Sequence, residues 1–205
     1  VEKPVVKPVK PVRPPKVVES KPEKKAEYLA AGRRISGLIA ERFFPKDGPV
    51  RRAFVASAAE VAQGHGYWDS TPDVSMLGLI RPFGIFKKRD LAANRILEDI
   101  RGRLWCQRVG GVLRYEGDVY RGGNPWILTT LWLGIVELSL NNVAEAKRCL
   151  DWVHSKATAQ GMLAEQIHRE HGHPCWVIPL GWSHAMYLLF VREALDRGLE
   201  KELDI

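Results

Sequence analysis

Two kinds of helical segment alternate along the chain, and this alternation limits its fold more than any other feature. Amphipathic segments, with one apolar and one charged face, lie near residues 26–44, 89–104 and 143–159. Segments that are apolar on nearly all sides lie near residues 75–86, 125–140 and 182–195. A helix that is apolar all round must be covered on every side, whereas an amphipathic helix can lie outside with a solvated face. The sequence therefore predicts an all-α protein with an inner and an outer layer, built from three helical hairpins.

The long connections between these helices gather at one end of the predicted structure. Each of the three long loops follows an outer helix and leads into an inner one, whereas the returning connections, around 87–90 and 141–142, are short. The long loops therefore meet at the N-terminal ends of the inner helices, where we expect the functional site. Two helix starts also carry capping signals: Asn124 before Pro125, and Asn142 with Glu145 three residues later.

The basic character of the chain is confined to its beginning. The 205 residues carry a formal net charge of +7, but residues 1–25 hold eight basic and three acidic residues, so the remaining chain carries only +2. This distribution argues against a nucleic-acid partner. Six prolines also lie in residues 1–25, which predicts a disordered Pro/Lys-rich linker or tail. Residues 26–205 are then one helical domain.

Further signals indicate the compartment. The sequence has no apolar run of transmembrane length and no signal-peptide pattern, so we expect a cytoplasmic protein without a membrane partner. The three cysteines are Cys106, Cys149 and Cys175. We expect them to be free thiols, because they are odd in number and widely spaced.

Four stretches resemble motifs of one enzyme family. They are DVSMLGLIRPF at 73–83, RYEGDVYRGGNPWILTTLWL at 114–133, GMLAEQ at 161–166 and PLGWSHAMYLL at 179–189. Over roughly residues 26–195, the chain is similar to the bacterial and archaeal glucoamylase-type enzymes of glycoside hydrolase family fifteen. The resemblance implies an (α/α)6 barrel, a toroid of six helical hairpins with its active site at the N-terminal ends of the inner helices. The three predicted hairpins would be the second half of that barrel.

The resemblance assigns a catalytic role to Glu165, the glutamate of the EQ motif, as general base of an inverting hydrolysis. Inversion needs one carboxylic acid to protonate the leaving oxygen and one carboxylate to activate water on the opposite face of the sugar. The alternative interpretation is that Glu165 only caps or pairs locally. The adjacent Gln166 is assigned to substrate binding.

The family motifs also imply a sugar-binding set. Arg114 corresponds to an arginine that donates hydrogen bonds to sugar hydroxyls, although it could instead pair with Glu116 or Asp118. The resemblance also places three aromatic residues around the glucose: Tyr120, Trp126 and Trp182. Each of them could equally be an ordinary core residue. We expect Gly122 and Gly123 to relieve backbone strain rather than to bind substrate.

A cluster of histidines in the same loop raises the possibility of a metal site. His168, His171 and His173 lie near Cys175, and imidazole and thiolate are good zinc ligands, but their spacing fits none of the usual patterns. We therefore expect neither a metal nor a cofactor. For His184, we expect a role in holding a loop by hydrogen bonding.

One required group is missing from the sequence. In the family, the general acid comes from the first half of the barrel. None of the candidate carboxylates in this sequence lies in a segment that resembles the motif of that acid; the candidates are Glu41, Glu98, Glu116 and Asp118. A half barrel would also expose a broad apolar wall. We therefore expect a fragment, a cleaved product or a separate subunit whose barrel is completed by a second polypeptide, the missing N-terminal half or self-association.

The function implied by the resemblance is exo-acting removal of glucose from the non-reducing ends of α-1,4-glucans or maltooligosaccharides. Trehalose cleavage is placed second, because related trehalose-cleaving enzymes usually lack PLGWSHA. A non-catalytic module that binds glycan or a protein partner is the alternative of a different class. The joint presence of Glu165, Arg114 and Trp182 favours the enzyme.

Overall fold

The computed structural model describes residues 22–88 and 90–205. Most of the predicted tail, residues 1–21, lies outside this part of the chain. The first helix begins at Pro22, inside the predicted tail and four residues earlier than predicted. Proline suits this position because its fixed φ fits the first helical turn, where its missing N–H is not needed.

The described chain is predominantly helical, which confirms the predicted all-α class. The helices are α1 Pro22–Phe43, α2 Ala58–Ala62, α3 Leu91–Asp99, α4 Ile127–Ser139, α5 Val143–Lys156, α6 Gly181–Leu195 and α7 Glu200–Leu203. Shorter turns of 3-10 helix lie at Val74–Leu79 and Tyr120–Gly122, and α3 continues into a π-helical turn at Ile100–Leu104. The two antiparallel strand pairs, β1 Ala53–Val55 with β2 Tyr67–Asp69 and β3 Gln166–Ile167 with β4 Pro174–Cys175, lie within the long loops.

The two layers of the prediction are present around α4. This helix is buried along nearly its whole length and packs against both α5 and α6. Leu131 and Leu138 of α4 belong to a core with Leu150 of α5 and Phe190 of α6. On its other side α4 contributes to a second core with α3 and the turn at Val74–Leu79. An apolar inner helix is thus covered by its neighbours, as its composition requires.

One of the three predicted inner helices is not a continuous helix. Residues 75–86 do not form a continuous helix; a 3-10 helix spans Val74–Leu79 and gives way to turns. Pro82 cannot donate a backbone hydrogen bond, and Gly84 has a positive φ of 63°, so the helix cannot continue through either. The segment nevertheless stays apolar and buried at Leu77 and Phe86.

One predicted cap is wrong and the other is confirmed in position only. The N-cap residue of α4 is Trp126 rather than Asn124. Asn142 is the N-cap residue of α5 as predicted, but its side chain makes no capping hydrogen bond, so the predicted capping box is absent. The Asn142 amide instead donates to the carboxylate of Glu137 at 2.9 Å. Asn124 is buried and bonds across the loops, as described below. A complete capping box occurs at the start of α2, formed by Ser57 at the N-cap and Glu60 in the first turn.

The last inner helix leaves an apolar face uncovered. α6 buries Ser183, Phe190 and Ala194, while Trp182, Leu188 and Leu189 are exposed. Between α4 and α6 lies a largely apolar groove of about 460 Å³.

Across residues 22–88 and 90–205, no helix combines the length and apolarity needed to cross a membrane.

Candidate functional site

The long loops meet at the N-terminal ends of the inner elements, as predicted. The backbone N–H of Val74, where the 3-10 helix starts, donates to the carbonyl of Arg114 at 2.7 Å. The N–H of Ile127, the first residue of α4, donates to the carbonyl of Glu165 at 3.3 Å. At the start of α6, the Ser183 hydroxyl donates to the carbonyl of Ala164 at 2.7 Å. These hydrogen bonds to the loop backbone therefore bring the segments that carry the predicted site residues to one end of the fold.

Glu165 lies where this loop enters the β3–β4 hairpin. Its N–H donates to the carbonyl of Val177 at 2.9 Å, and the next residue, Gln166, pairs with Cys175. The side chain is half-buried. Burial raises the pKa of the Cys175 thiol, and the negative charge of the neighbouring Glu165 raises it further. The Glu165 carboxylate is thus held close to β4 by its backbone on both sides.

Arg114 is held by one of its two predicted partners. Its guanidinium donates two hydrogen bonds of 2.8 Å to Asp118, whereas Glu116 pairs with Arg103. The same guanidinium lies 4.7 Å from the ring centroid of Tyr120 and 4.9 Å from that of Trp126. An arginine has five N–H donors, and the contacts within the described chain to Asp118 use two of them. Pairing with Asp118 is therefore compatible with donation to a ligand.

Two buried N–H groups beside Glu165 have no hydrogen-bond partner within the described residues. They are Nε1 of Trp126 and Nε2 of Gln166. The Asn124 amide donates to Oε1 of Gln166 at 3.0 Å, which turns the Gln166 amino group away from Asn124. Unpaired buried donors are costly and uncommon. A hydroxylated ligand could accept hydrogen bonds from both.

The remaining predicted aromatic residues lie nearer the surface. Trp182 stands in the first turn of α6 and is 62% exposed. Its neighbour Ser183 is the residue bonded to Ala164, so Trp182 and Glu165 flank the same contact between α6 and the loop. The ring of Tyr120 lies 6.1 Å from that of Trp126. Trp126 is buried, which fits both a core residue and the wall of a ligand site.

The glycine and histidine predictions can be compared with the geometry. Gly122 and Gly123 have positive φ values of 94° and 64°, and a Cβ on Gly123 would overlap the carbonyl of Asp118, so both glycines serve the backbone. His184 holds the loop as predicted: its Nδ1–H donates to the carbonyl of Leu180 at 2.9 Å, and its Nε2 accepts from the N–H of Leu163 at 3.3 Å.

The three loop histidines stack on each other. The ring centroids of His168, His171 and His173 are 4.7–5.9 Å apart, and the ring planes are within 21° of parallel. Parallel rings do not direct their nitrogens to a common point. Among the residues that the structure describes, no group of three or more His, Cys, Asp or Glu side chains is arranged to hold a metal ion.

Several residues at the site were not foreseen as a set. Asn124 ties three segments together, because its amide donates to Gln166 and to the carbonyl of Arg121 while its oxygen accepts from the N–H of Arg169. Arg121 and Trp176 both have left-handed backbone conformations, with φ of 52° and 66°. The sequence gives no local signal for these contacts; for Asp118, the spacing of four residues from Arg114 was the only indication.

Comparison with known proteins places this chain among glycoside hydrolases. The chain is 36% identical to an uncharacterised glycosyl hydrolase of Methanocaldococcus jannaschii over 163 residues, covering 73% of this chain and 26% of that protein. It is 34% identical to isomaltose glucohydrolase of Kribbella flavida over 153 residues, covering 68% of this chain and 39% of that protein. The chain thus spans well under half the length of these curated relatives. No protein-family model matches the sequence.

Solved structures agree with the sequence relatives. A structure described as a wild-type glycosidase shares 29% identity and a TM-score of 0.67, covering 85% of this chain and 45% of that one. A bacterial glucoamylase in complex with acarbose has the same TM-score at 20% identity, covering 85% of this chain and 30% of that one. The second likeness shows the fold alone. Together they confirm the predicted glucoamylase-like barrel fold.

Proposed function

This chain belongs to the glucoamylase-like glycoside hydrolases of family fifteen, and from that premise we propose that it supplies the general base of an inverting, exo-acting glycosidase. The enzyme would release glucose from the non-reducing ends of α-1,4-glucans or maltooligosaccharides. The observation that carries the proposal is the placement of Glu165 beside two buried donors, on Trp126 and Gln166, that have no hydrogen-bond partner among residues 22–88 and 90–205.

Each of these groups has a task in the proposed reaction. The Glu165 carboxylate takes a proton from a water molecule as that water attacks the anomeric carbon from the face opposite the leaving oxygen. The donors of Trp126, Gln166 and Arg114 bind hydroxyl groups of the terminal sugar, which gives the buried N–H groups of Trp126 and Gln166 an acceptor. The Tyr120 and Trp182 rings pack against the apolar C–H faces of the saccharide.

The general acid would come from the other half of the barrel. In an inverting glycosidase the two carboxyl groups lie about 6.5–9.5 Å apart, which leaves room for the attacking water. The solved wild-type glycosidase is more than twice as long as the stretch that this chain matches, which supports a further segment completing the site. That segment would be a separate polypeptide or another part of the same protein.

A second substrate class has support from one relative. The name of the isomaltose glucohydrolase states its substrate, an α-1,6-linked glucose disaccharide, and it is 34% identical to this chain. Another structural neighbour is a glycosidase variant in complex with glucose. Both observations support glucose as the sugar bound at the innermost position, and they leave α-1,6-linked substrates as the alternative to α-1,4-linked ones.

The test is glucose release from maltooligosaccharides and from isomaltose, by this chain alone and mixed with the polypeptide encoded immediately upstream. We expect activity only in the mixture, with β-glucose as the first product in an NMR time course because the configuration inverts. Glu165→Gln should lower kcat by about 10²–10⁴-fold. Glu170→Gln, in the same hairpin but exposed and paired with Arg108, is the matched control and should keep full activity.

Three outcomes would contradict the proposal. Release of α-glucose would show a retaining reaction, and full activity of Glu165→Gln would remove its assigned role. Saccharide binding without any hydrolysis in the mixture would favour the non-catalytic module instead.

A further inference from the structure

Aromatic rings and guanidinium groups alternate along a row that starts at the buried Trp126 indole. Arg114 lies between Trp126 and Tyr120, at 4.9 and 4.7 Å from the two ring centroids. Arg121 follows, 5.9 Å from the ring of Tyr120 and 4.5 Å from that of Trp176. We call these five side chains the ladder: Trp126, Arg114, Tyr120, Arg121 and Trp176. They join the loop before α4 to the hairpin that carries Glu165.

Exposure increases along the ladder. Trp126 is 7% exposed, Tyr120 is 45% exposed and Trp176 is 50% exposed. The ladder thus runs from the buried floor of the candidate site to its rim. An exo-acting enzyme binds the terminal sugar at the floor of its site. The remaining sugar units of a longer bound substrate therefore extend outwards past the rim. Arg121 and Trp176 lie where those further sugar units would pass.

The outer pair is built into the site rather than loosely attached to the surface. Trp176 lies between Cys175, which pairs with Gln166, and Val177, whose carbonyl accepts the N–H of Glu165. On the other side, the carbonyl of Arg121 accepts a hydrogen bond from the Asn124 amide, which also bonds Gln166. Both halves of the pair are therefore anchored to the segment that carries the proposed base.

Both residues keep an unfavourable backbone conformation. Their φ values of 52° for Arg121 and 66° for Trp176 lie in the left-handed region, which bulky side chains rarely adopt. Strained backbone of this kind persists only where the surroundings impose it, and it occurs preferentially at functional sites. The strain brings the Trp176 ring over the guanidinium of Arg121 while half of the Trp176 surface stays exposed.

We propose that Arg121 and Trp176 form an outer saccharide-binding subsite that contacts the third and later sugar units of a substrate, beyond the two units joined by the cleaved bond. This inference rests on the proposed glycosidase function and adds to it a preference for substrates longer than a disaccharide. The exposed indole surface suits the apolar face of a pyranose ring, and the planar guanidinium suits a pair of neighbouring hydroxyl groups.

The test compares substrates of two lengths in the reconstituted enzyme. Trp176→Asn and Arg121→Asn remove the two side chains, and asparagine tolerates a left-handed backbone better than most residues. For Trp176→Asn we expect the ratio of kcat/KM for maltopentaose to that for maltose to fall about tenfold. Arg121→Asn should lower the ratio less. Tyr28→Ala, which removes an exposed aromatic residue of α1 outside the ladder, should leave the ratio unchanged.

A binding measurement separates this inference from the proposed function. In the Glu165→Gln background, calorimetry should show weaker binding of maltopentaose after Trp176→Asn, with no comparable change for glucose. An unchanged ratio and unchanged maltopentaose affinity would overturn the subsite, even if Glu165 proves to be the base. If the mixture does not hydrolyse saccharides at all, maltopentaose binding that depends on Trp176 would still support the subsite, and its absence would reject it.

Discussion

Asp118 holds the guanidinium of Arg114 with two hydrogen bonds of 2.8 Å each, and only 1% of the Asp118 side chain is exposed. The same carboxylate accepts the N–H of Tyr120 at 2.9 Å. One buried group therefore fixes both the arginine and the start of the turn that carries the next aromatic ring of the ladder. Under the proposed function, in which Arg114 binds the sugar, Asp118 would be a positioning residue that acts through Arg114.

Asp118→Asn should disturb Arg114 and the fold together. Asparagine is uncharged and replaces one of the two acceptor oxygens of Asp118 with an amino group. We therefore expect the free energy of unfolding to fall by about 1–3 kcal/mol. If Arg114 binds the sugar, KM should rise more than kcat falls, because the arginine is displaced while Glu165 is not. Urea titration and steady-state kinetics measure the two effects.

An exposed pair of similar geometry serves as the control for this prediction. Arg192 Nε donates to both carboxylate oxygens of Asp196, also four residues later, but both side chains are mostly exposed. Asp196→Asn should change the free energy of unfolding by less than about 0.5 kcal/mol. A loss as large as that from Asp118→Asn would show that burial of the pair does not decide its contribution.

Stability should fall in acid through Asp69 and Asp118. Hydrogen bonds from Thr71 and Arg52 lower the pKa of Asp69 to about 2. Burial raises the pKa of Asp118, but hydrogen bonds from Arg114 and Tyr120 outweigh it, so its pKa also lies below the usual value. A depressed native pKa stabilises the fold fully above the unfolded value of about 4, and this contribution is lost as pH falls through the native pKa.

The measurement is the free energy of unfolding between pH 6 and pH 2. We expect it to be nearly constant down to about pH 4 and then to fall. Asp69→Asn and Asp118→Asn should each flatten the acid limb. A variant that is less stable at pH 6 but keeps the full acid dependence would contradict this assignment.

Gly111 should not tolerate a side chain. Its φ is +79°, and a Cβ there would overlap the indole ring of Trp152. Gly117 has nearly the same φ, +78°, but open space where its Cβ would lie. Gly117→Ala therefore measures backbone strain alone, at about 1–2 kcal/mol. Gly111→Ala should lower the free energy of unfolding by roughly a further 1–3 kcal/mol, because the indole must move. Thermal or urea unfolding measures both losses, and equal losses for the two variants would rule out the overlap.

The sequence predicted those parts of the fold that local patterns determine. The spans of α4, α5 and α6 fall within three residues of the predicted ones because each has a continuous helical pattern of apolar residues. The placement of the loops at one end followed from the alternation of short and long connections. The prediction for residues 75–86 is wrong because an apolar composition does not distinguish a helix from buried turns, and because Pro82 interrupts a helix at this point.

The contacts that build the site depend on tertiary neighbours, which no local pattern records. The bond from Asn124 to Gln166 joins residues 42 apart in the chain, so a residue with the local signature of a helix cap serves between two loops. Glu137, the single charged residue of α4, can be fully buried because Arg101 and Asn142 both donate to its carboxylate. Arg101 lies 36 residues away, beyond the range of helical periodicity.

The uncovered face of α6 should make the isolated chain associate. Trp182, Leu188 and Leu189 are exposed along this helix, next to the groove of about 460 Å³ between α4 and α6. Exposed apolar patches of this kind usually mark an interface. In a closed barrel the remaining helices would cover the face, so an isolated chain can bury it only against another copy.

Sedimentation velocity over a hundredfold range of concentration should therefore show the chain shifting from monomer to larger species. Leu188→Glu places a charge in the middle of the exposed α6 face and should move the association to higher concentration by about tenfold or more, because burying an unpaired carboxylate is costly. Leu91→Glu, at an equally exposed leucine of α3, is the matched control and should have no such effect. Addition of the upstream polypeptide should replace self-association with a one-to-one complex, since both would occupy the same face. A chain that stays monomeric throughout would show that the α6 face needs no cover.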